Sequence, residues 1–331
     1  MKILLILVHA LVLVCCGSAM ISEASGAELD DCMNSDPEIS IPACTAALKS
    51  RTIPRSTLKE VFTNLGRSYR NKEYYRGSIS YYKKALKIDS KHIKALIGQA
   101  LTYSMIAEYN LAVTNYSTVI EIDPHNFVAL FNRGNALSER RQHTGSFGDD
   151  DLAINDYSSA IKLMPTYAAA YNNRGMNYGL DKIRRSLDDF NKAISLMPES
   201  AIPYVNRAGV WHSLDRDDLA FMDYETAIKL DPGFAVTYYN RANHFAWKHE
   251  YKRAIADFTA AIELKPDFAL AYYYRSHAFR ESGDLRRSGE DLDTALKIRR
   301  DLKLFARPMK TTKGEYSASF PDINVFDGVH Y

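Results

Sequence analysis

An aromatic residue with a small residue three places on returns through most of this chain. The pairs are Tyr82/Ala85, Tyr116/Val119, Tyr157/Ala160, Phe190/Ala193, Tyr224/Ala227 and Phe258/Ala261, and Leu292/Ala295 continues them with an aliphatic. Successive intervals are 34, 41, 33, 34, 34 and 34 residues. A second pattern, small then large apolar three places on, leads each unit: Gly66/Tyr69, Ala100/Tyr103, Gly134/Leu137, Gly175/Tyr178, Ala208/Trp211, Ala242/Phe245 and Ser276/Phe279. Pro124, Pro165, Pro198, Pro232 and Pro266 follow in phase. A spacing of three marks one face of a helix, and proline ends helices. Each period is therefore a helix–turn–helix hairpin. One hairpin cannot bury both of its apolar stripes, so the hairpins must stack.

The period near 34, the two apolar stripes, the small residues at helix contacts and the closing proline together resemble the tetratricopeptide repeat. The resemblance spans residues 59–302 as seven units, beginning near Lys59, Ile93, Phe127, Ala168, Ala201, Ala235 and Ala269. It implies an all-α superhelix (an α-solenoid) with a concave groove lined by the first helices. Two units depart from the pattern. The third carries seven extra residues in RRQHTGSFGDDD, 140–151, expected as a loop between its helices ending in a capped helix start. The fourth is one residue short around LDKIRRS, so its turn should be tight.

Arginine recurs as the seventh residue of five units: Arg133, Arg174, Arg207, Arg241 and Arg275. The second helix of each of those units carries an aspartate at one matching place: Asp156, Asp189, Asp223, Asp257 and Asp291. The first two units have Leu65 and Gln99 at the first place, and Tyr81 and Asn115 at the second. Arginine and aspartate thus occur together or not at all. On antiparallel helices the two places lie at nearly the same height, so a forked ion pair is expected within each hairpin, as a structural element.

Asparagine is the sixth residue at Asn64, Asn132, Asn173, Asn206 and Asn240, with Gly98 and Tyr274 breaking the series. One residue round the helix turns a side chain about 100°, which would aim these amides into the groove. The resemblance implies that such asparagines pair with the backbone of an extended peptide. Other expected groove residues are Phe131, Asn135, Asn172, Tyr239, Asn243, Tyr273 and His277. The carboxylate clamp of chaperone-binding relatives needs lysines at the second and fifth places. The fifth places here hold Thr63, Ile97, Phe131, Asn172, Val205, Tyr239 and Tyr273, which argues against recognition of an acidic C-terminus.

The ends differ from the repeats. Lys2 and the apolar run 3–16, followed by small residues, read as a signal peptide cleaved between 19 and 27, with no stable membrane span afterwards. A lipid anchor is disfavoured because Val14 precedes Cys15 and Cys15 precedes Cys16. Segment 28–58 then forms an N-terminal cap holding Cys32 and Cys44. In an oxidising compartment these two are a disulfide candidate, and the alternative is a pair of free buried thiols. The segment resembles the Cys-containing lead-in of exported bacterial tetratricopeptide proteins, and CTAALKS looks like the second helix of a degenerate repeat. The tail, 303–331, has no helical period but keeps Phe305, Phe320, Val325, Phe326 and Tyr331, so it is expected to be extended and to fold back on the last unit or into the adjoining groove.

A formal charge of +2 excludes a general nucleic-acid binder. There is no nucleophile–base arrangement, phosphate-cradling glycine loop or metal-ligand spacing, so neither catalysis, a cofactor nor a metal is expected. The expectation is a secreted or periplasmic scaffold that binds a protein or an extended peptide in its groove. The alternatives are an assembly component of the cell envelope acting through its convex face or ends, and a glycan-binding envelope protein. The partner and the oligomeric state are not readable from the sequence.

Overall fold

The structure, a computed structural model, describes residues 26–50, 53–146, 148–179, 182–300 and 302. The expected signal sequence up to residue 25 and the tail 303–331 lie outside the described residues. Among the described residues there are sixteen α-helices and no strand. They are α1 (Gly26–Cys32), α2 (Pro37–Ser50), α3 (Arg55–Asn71), α4 (Tyr75–Ile88), α5 (Ile93–Met105), α6 (Tyr109–Ile122), α7 (Phe127–Thr144) and α8 (Asp149–Leu163). The rest are α9 (Ala168–Asn177), α10 (Ile183–Leu196), α11 (Ala201–Ser213), α12 (Asp217–Leu230), α13 (Ala235–Trp247), α14 (Tyr251–Leu264), α15 (Ala269–Glu281) and α16 (Leu285–Ile298). None is long and apolar enough to cross a membrane. The chain divides into two compact units, one ending at Glu108 and the other beginning at Tyr109.

In the first unit, α1 packs on α2, α2 on α3, and α3 pairs with α4, against which α5 lies. A disulfide joins Cys32 to Cys44 and ties the end of α1 to α2. Both cysteines are fully buried in one cluster with Val61 and Leu65 of α3. The lead-in is also bonded to α3: Ser40 and Ser68 hydroxyls meet at 2.6 Å, and Arg67 Nη2 donates to the Asn34 carbonyl at 2.9 Å. Tyr82 shows why the repeat needs small residues. Its ring lies between α3 and α5, where a Cβ on Gly66 would come within 2.8 Å of it and one on Gly98 within 2.4 Å.

In the second unit the hairpins are α7/α8, α9/α10, α11/α12, α13/α14 and α15/α16, and each second helix also packs on the first helix of the next hairpin. First helices touch one another as well, α7 with α9, α9 with α11, α11 with α13 and α13 with α15. Among the described residues second helices do not pack closely on one another, so within this unit the first helices lie on the inner side of the stack. The prolines stand one residue past the C-caps of second helices. Pro232, for example, follows Asp231, whose N–H still bonds the Ala227 carbonyl.

The turns inside the hairpins hold a feature the sequence conceals. Glu73, Ala107, Asp215 and His249 all have φ between 54° and 62°, and Gly283 has φ 88°. These positions recur in register within the repeats, and only one of them is the glycine that a left-handed residue favours.

The long third unit departs from expectation. Its extra residues do not form a loop throughout: α7 runs on to Thr144, Gly145 ends it at φ 68°, and α8 starts at Asp149. The lengthening is stable because Asp149 is 3% exposed and takes a forked bond from Arg140, 2.6 and 2.8 Å. Asp150 pairs with Arg141 and Asp151 with Lys182. The fourth unit takes up its deletion in α9, which has only 10 residues.

Candidate functional site

Each of the five arginines makes the same forked bond. Nε and Nη2 reach the two oxygens of one aspartate at 2.7–2.9 Å in Arg133–Asp156, Arg174–Asp189, Arg207–Asp223, Arg241–Asp257 and Arg275–Asp291. A further bond joins neighbouring repeats. Nη1 donates to Ser117, Ser158, Asn191, Glu225 and Thr259 in turn, always sixteen residues earlier and on the preceding second helix. Four of the guanidiniums also lie over the tyrosine three residues before them, 5.5–5.8 Å from the ring centroid. The arginine therefore fixes the register within a hairpin and the docking of that hairpin on its neighbour.

The asparagine series divides. Asn64, Asn173 and Asn206 are buried, and so are Asn172, Tyr239 and Tyr273. This corrects the expectation that they line a free groove. Asn64, Asn173 and Asn206 are covered by the element that precedes their hairpin, and there the amides join helices, whereas Tyr239 packs on Phe258, Phe268 and Tyr274 and Tyr273 on Ala295 and Leu302. Asn64 Nδ2 donates to the Cys32 carbonyl and holds the lead-in on α3. Farther along, Tyr157 Oη and Asn173 Nδ2 both donate to Asn135 Oδ1, at 2.9 and 2.8 Å. Asn172 Nδ2 donates to Asn173 Oδ1 at 3.2 Å, and Asn206 Nδ2 donates to Asn172 Oδ1 at 2.9 Å. One amide chain thus runs from α7 and α8 through α9 to α11. It stops at Asn240, because the preceding repeat offers Val205 and Gly209 where the others have asparagine.

Asn132, Asn240, Asn243, Phe131 and His277 are partly exposed on first helices, as is Asn135 at the head of the chain of amides. Asn132 bonds the Val128 carbonyl of its own helix at 2.8 Å. Phe131 leans on Tyr157 and on the edge of Tyr167. His277 packs against Tyr273 with centroids 4.6 Å apart, and burial, with Arg280 nearby, lowers its pKa to about 4.

Two histidines with no recognisable sequence spacing meet inside the second unit. His212 lies in the last turn of α11, His244 lies on α13, and their Nδ1 atoms are 2.9 Å apart. Asp217, the first residue of α12, brings Oδ1 to 3.8 Å from His244 Nδ1, while Lys248 bonds its other oxygen. Burial, then the neighbouring His244, pulls the His212 pKa down to about 4, and burial lowers His244 too. No metal ligands were expected from sequence spacing, yet these three side chains form the one group of such residues, among those described, whose ligand atoms converge. His212 and His244 are 32 residues apart in adjacent repeats, and nothing local in the sequence links them.

Two segments, residues 60–92 and 235–268, match models of the tetratricopeptide repeat family. No curated protein matches the chain. Among solved structures, a tetratricopeptide repeat protein from Parabacteroides merdae is 19% identical, with a TM-score of 0.60 over 80% of this chain and 100% of that one. The APC/C hetero-tetramer Cut9–Hcn1 is 15% identical, with a TM-score of 0.57 over 84% of this chain and 54% of that one. MamA is 24% identical, with a TM-score of 0.46 over 51% of this chain and 95% of that one. The similarity to the first two is one of fold.

Proposed function

We propose that this chain, a tetratricopeptide-repeat protein by its repeat matches and its all-α fold, is an exported protein–protein interaction scaffold that binds an extended segment of a partner protein along its first helices. The observation that carries this reading is the row of uncharged groups left partly exposed on the inner side of the second unit: Phe131 and Asn132 on α7, Asn240 and Asn243 on α13, His277 on α15. Primary amides can donate to and accept from a peptide backbone, and aromatic rings supply apolar contact between them. Such a surface demands little of the partner's sequence and no terminal carboxylate. Export is supported by the apolar run at 3–16 and by the Cys32–Cys44 disulfide, which persists only in an oxidising compartment.

The test is a crosslinking pull-down from the native compartment with Asn132, Asn240 and Asn243 replaced together by alanine. All three are partly exposed, so the helices should survive, which circular dichroism checks. Loss of a partner captured by the unmodified protein supports the reading. Undiminished capture points instead to the outer helices or the ends of the stack.

A further inference from the structure

We infer that His212, Asp217 and His244 form a binding site for a first-row divalent cation of zinc type, with the cation stapling α11, α12 and α13 together. Three nitrogen and oxygen atoms that can each offer a lone pair converge within 4.8 Å of one another. Asp217 Oδ1 is buried with no hydrogen-bond partner. His244 Nδ1 faces both His212 Nδ1 and that oxygen, and it carries at most one proton in a neutral ring. If His244 donates to Asp217, it leaves no proton for His212. If it accepts from His212, the carboxylate oxygen has nothing. A cation satisfies all three atoms at once.

The spacing is close to what such an ion needs. Metal–ligand bonds of about 2.0–2.1 Å at tetrahedral angles put neighbouring ligand atoms roughly 3.3 Å apart, and the two contacts here are 2.9 and 3.8 Å. Small ring rotations even them out. The ligand set, two imidazoles and a carboxylate, suits zinc and its neighbours and not magnesium or calcium. Lys248 holds the second carboxylate oxygen, which leaves Oδ1 pointing at the imidazoles, the orienting role that an outer shell performs. The Trp247 ring meets His212 edge-on at 5.0 Å, and the Tyr224 and Phe245 rings lie near His244. The site is thus walled by aromatic surface and opens through Asp217, whose side chain is 30% exposed. A fourth ligand would be a water entering from that side.

The test uses the full chain without a histidine tag, stripped by chelator and titrated with Zn2+ and Co2+. We expect one ion per chain, Co2+ bands of a tetrahedral nitrogen and oxygen site, and Co2+ quenching of Trp247, read in a Trp211→Phe background and lost in His212→Gln/His244→Gln. A Zn2+ concentration about a hundredfold above Kd should raise Tm by roughly 5–10 °C. Asp217→Asn should weaken binding by at least about tenfold, and the double variant His212→Gln/His244→Gln should lose it while retaining native helicity in chelator. If that double variant proves unfolded, Asp217→Asn and the Trp247 quenching decide alone. Absence of 1:1 binding, or binding unchanged by Asp217→Asn and without Trp247 quenching, overturns the proposal and assigns any affinity to exposed histidines such as His143 and His249.

Discussion

Replacing Asp223 with alanine removes the acceptor of two of the three hydrogen bonds that Arg207 makes, leaving only the bond to Asn191 at 2.6 Å. The size of the effect follows from burial. Breaking a fully buried ion pair costs about 3–5 kcal/mol, whereas an exposed pair contributes about 0–1 kcal/mol. Here the aspartate side chain is 8% exposed and the arginine 20%, so water can reach the guanidinium in part. The expected loss is roughly 2–4 kcal/mol. Arg207→Met should cost a similar amount, because it strands the carboxylate and also gives up the bond to Asn191. The double variant Arg207→Met/Asp223→Leu buries no unpaired charge and should fall short of the sum by about 1.5–3 kcal/mol. Urea melts followed by tryptophan fluorescence suit the measurement, since the only two tryptophans, Trp211 and Trp247, stand on α11 and α13. A coupling below about 0.5 kcal/mol would refute the claim that the pair is a unit.

Asn172→Ala should cost roughly 2 kcal/mol in the same melts, because it leaves Asn206 Nδ2 without its acceptor and Asn173 Oδ1 without its donor; a change under about 0.5 kcal/mol would mean the amide chain contributes nothing. Gly134→Ala puts a Cβ 2.7 Å from the Tyr157 ring and should cost about 1–3 kcal/mol, read as a lowered urea midpoint. Acid should weaken the metal-free protein in a defined window. The folded His212 pKa, near 4, lies below the ordinary 6.5, so the unfolded chain takes up its proton first as pH falls. Stability is then level above about pH 6.5 and drops towards pH 4, by roughly 3 kcal/mol from this group, which urea midpoints in chelator across that range will show or fail to show.

The hairpins were legible because packing repeats: the same small and aromatic contacts must recur wherever two helices meet, and the period exposes them. The arginine–aspartate pairs were legible for the same reason, as two places that change together. Their third bond was written just as plainly, in the acceptor that follows each aromatic (Ser117, Ser158, Asn191, Glu225, Thr259), but its partner lies in the next repeat and the periodic comparison within a unit misses it. The direction of Asn173 and Asn206 could not be had from one helix, because what covers that arc is the placement of the neighbouring hairpin. The left-handed turns hid behind Glu73, Ala107, Asp215 and His249, where no glycine marks them. The meeting of His212 with His244 depends on stacking and leaves no local signature.

The central claim is that partners engage the inner, first-helix side of the stack. Site-specific photo-crosslinking in the native compartment addresses it directly, with the probe placed at Asn240 on α13 or at Met222, which is 65% exposed on α12. A discrete crosslinked partner is expected from position 240, lost on competition with excess unlabelled protein, and none from position 222. A partner captured from 222 and not from 240 would contradict it.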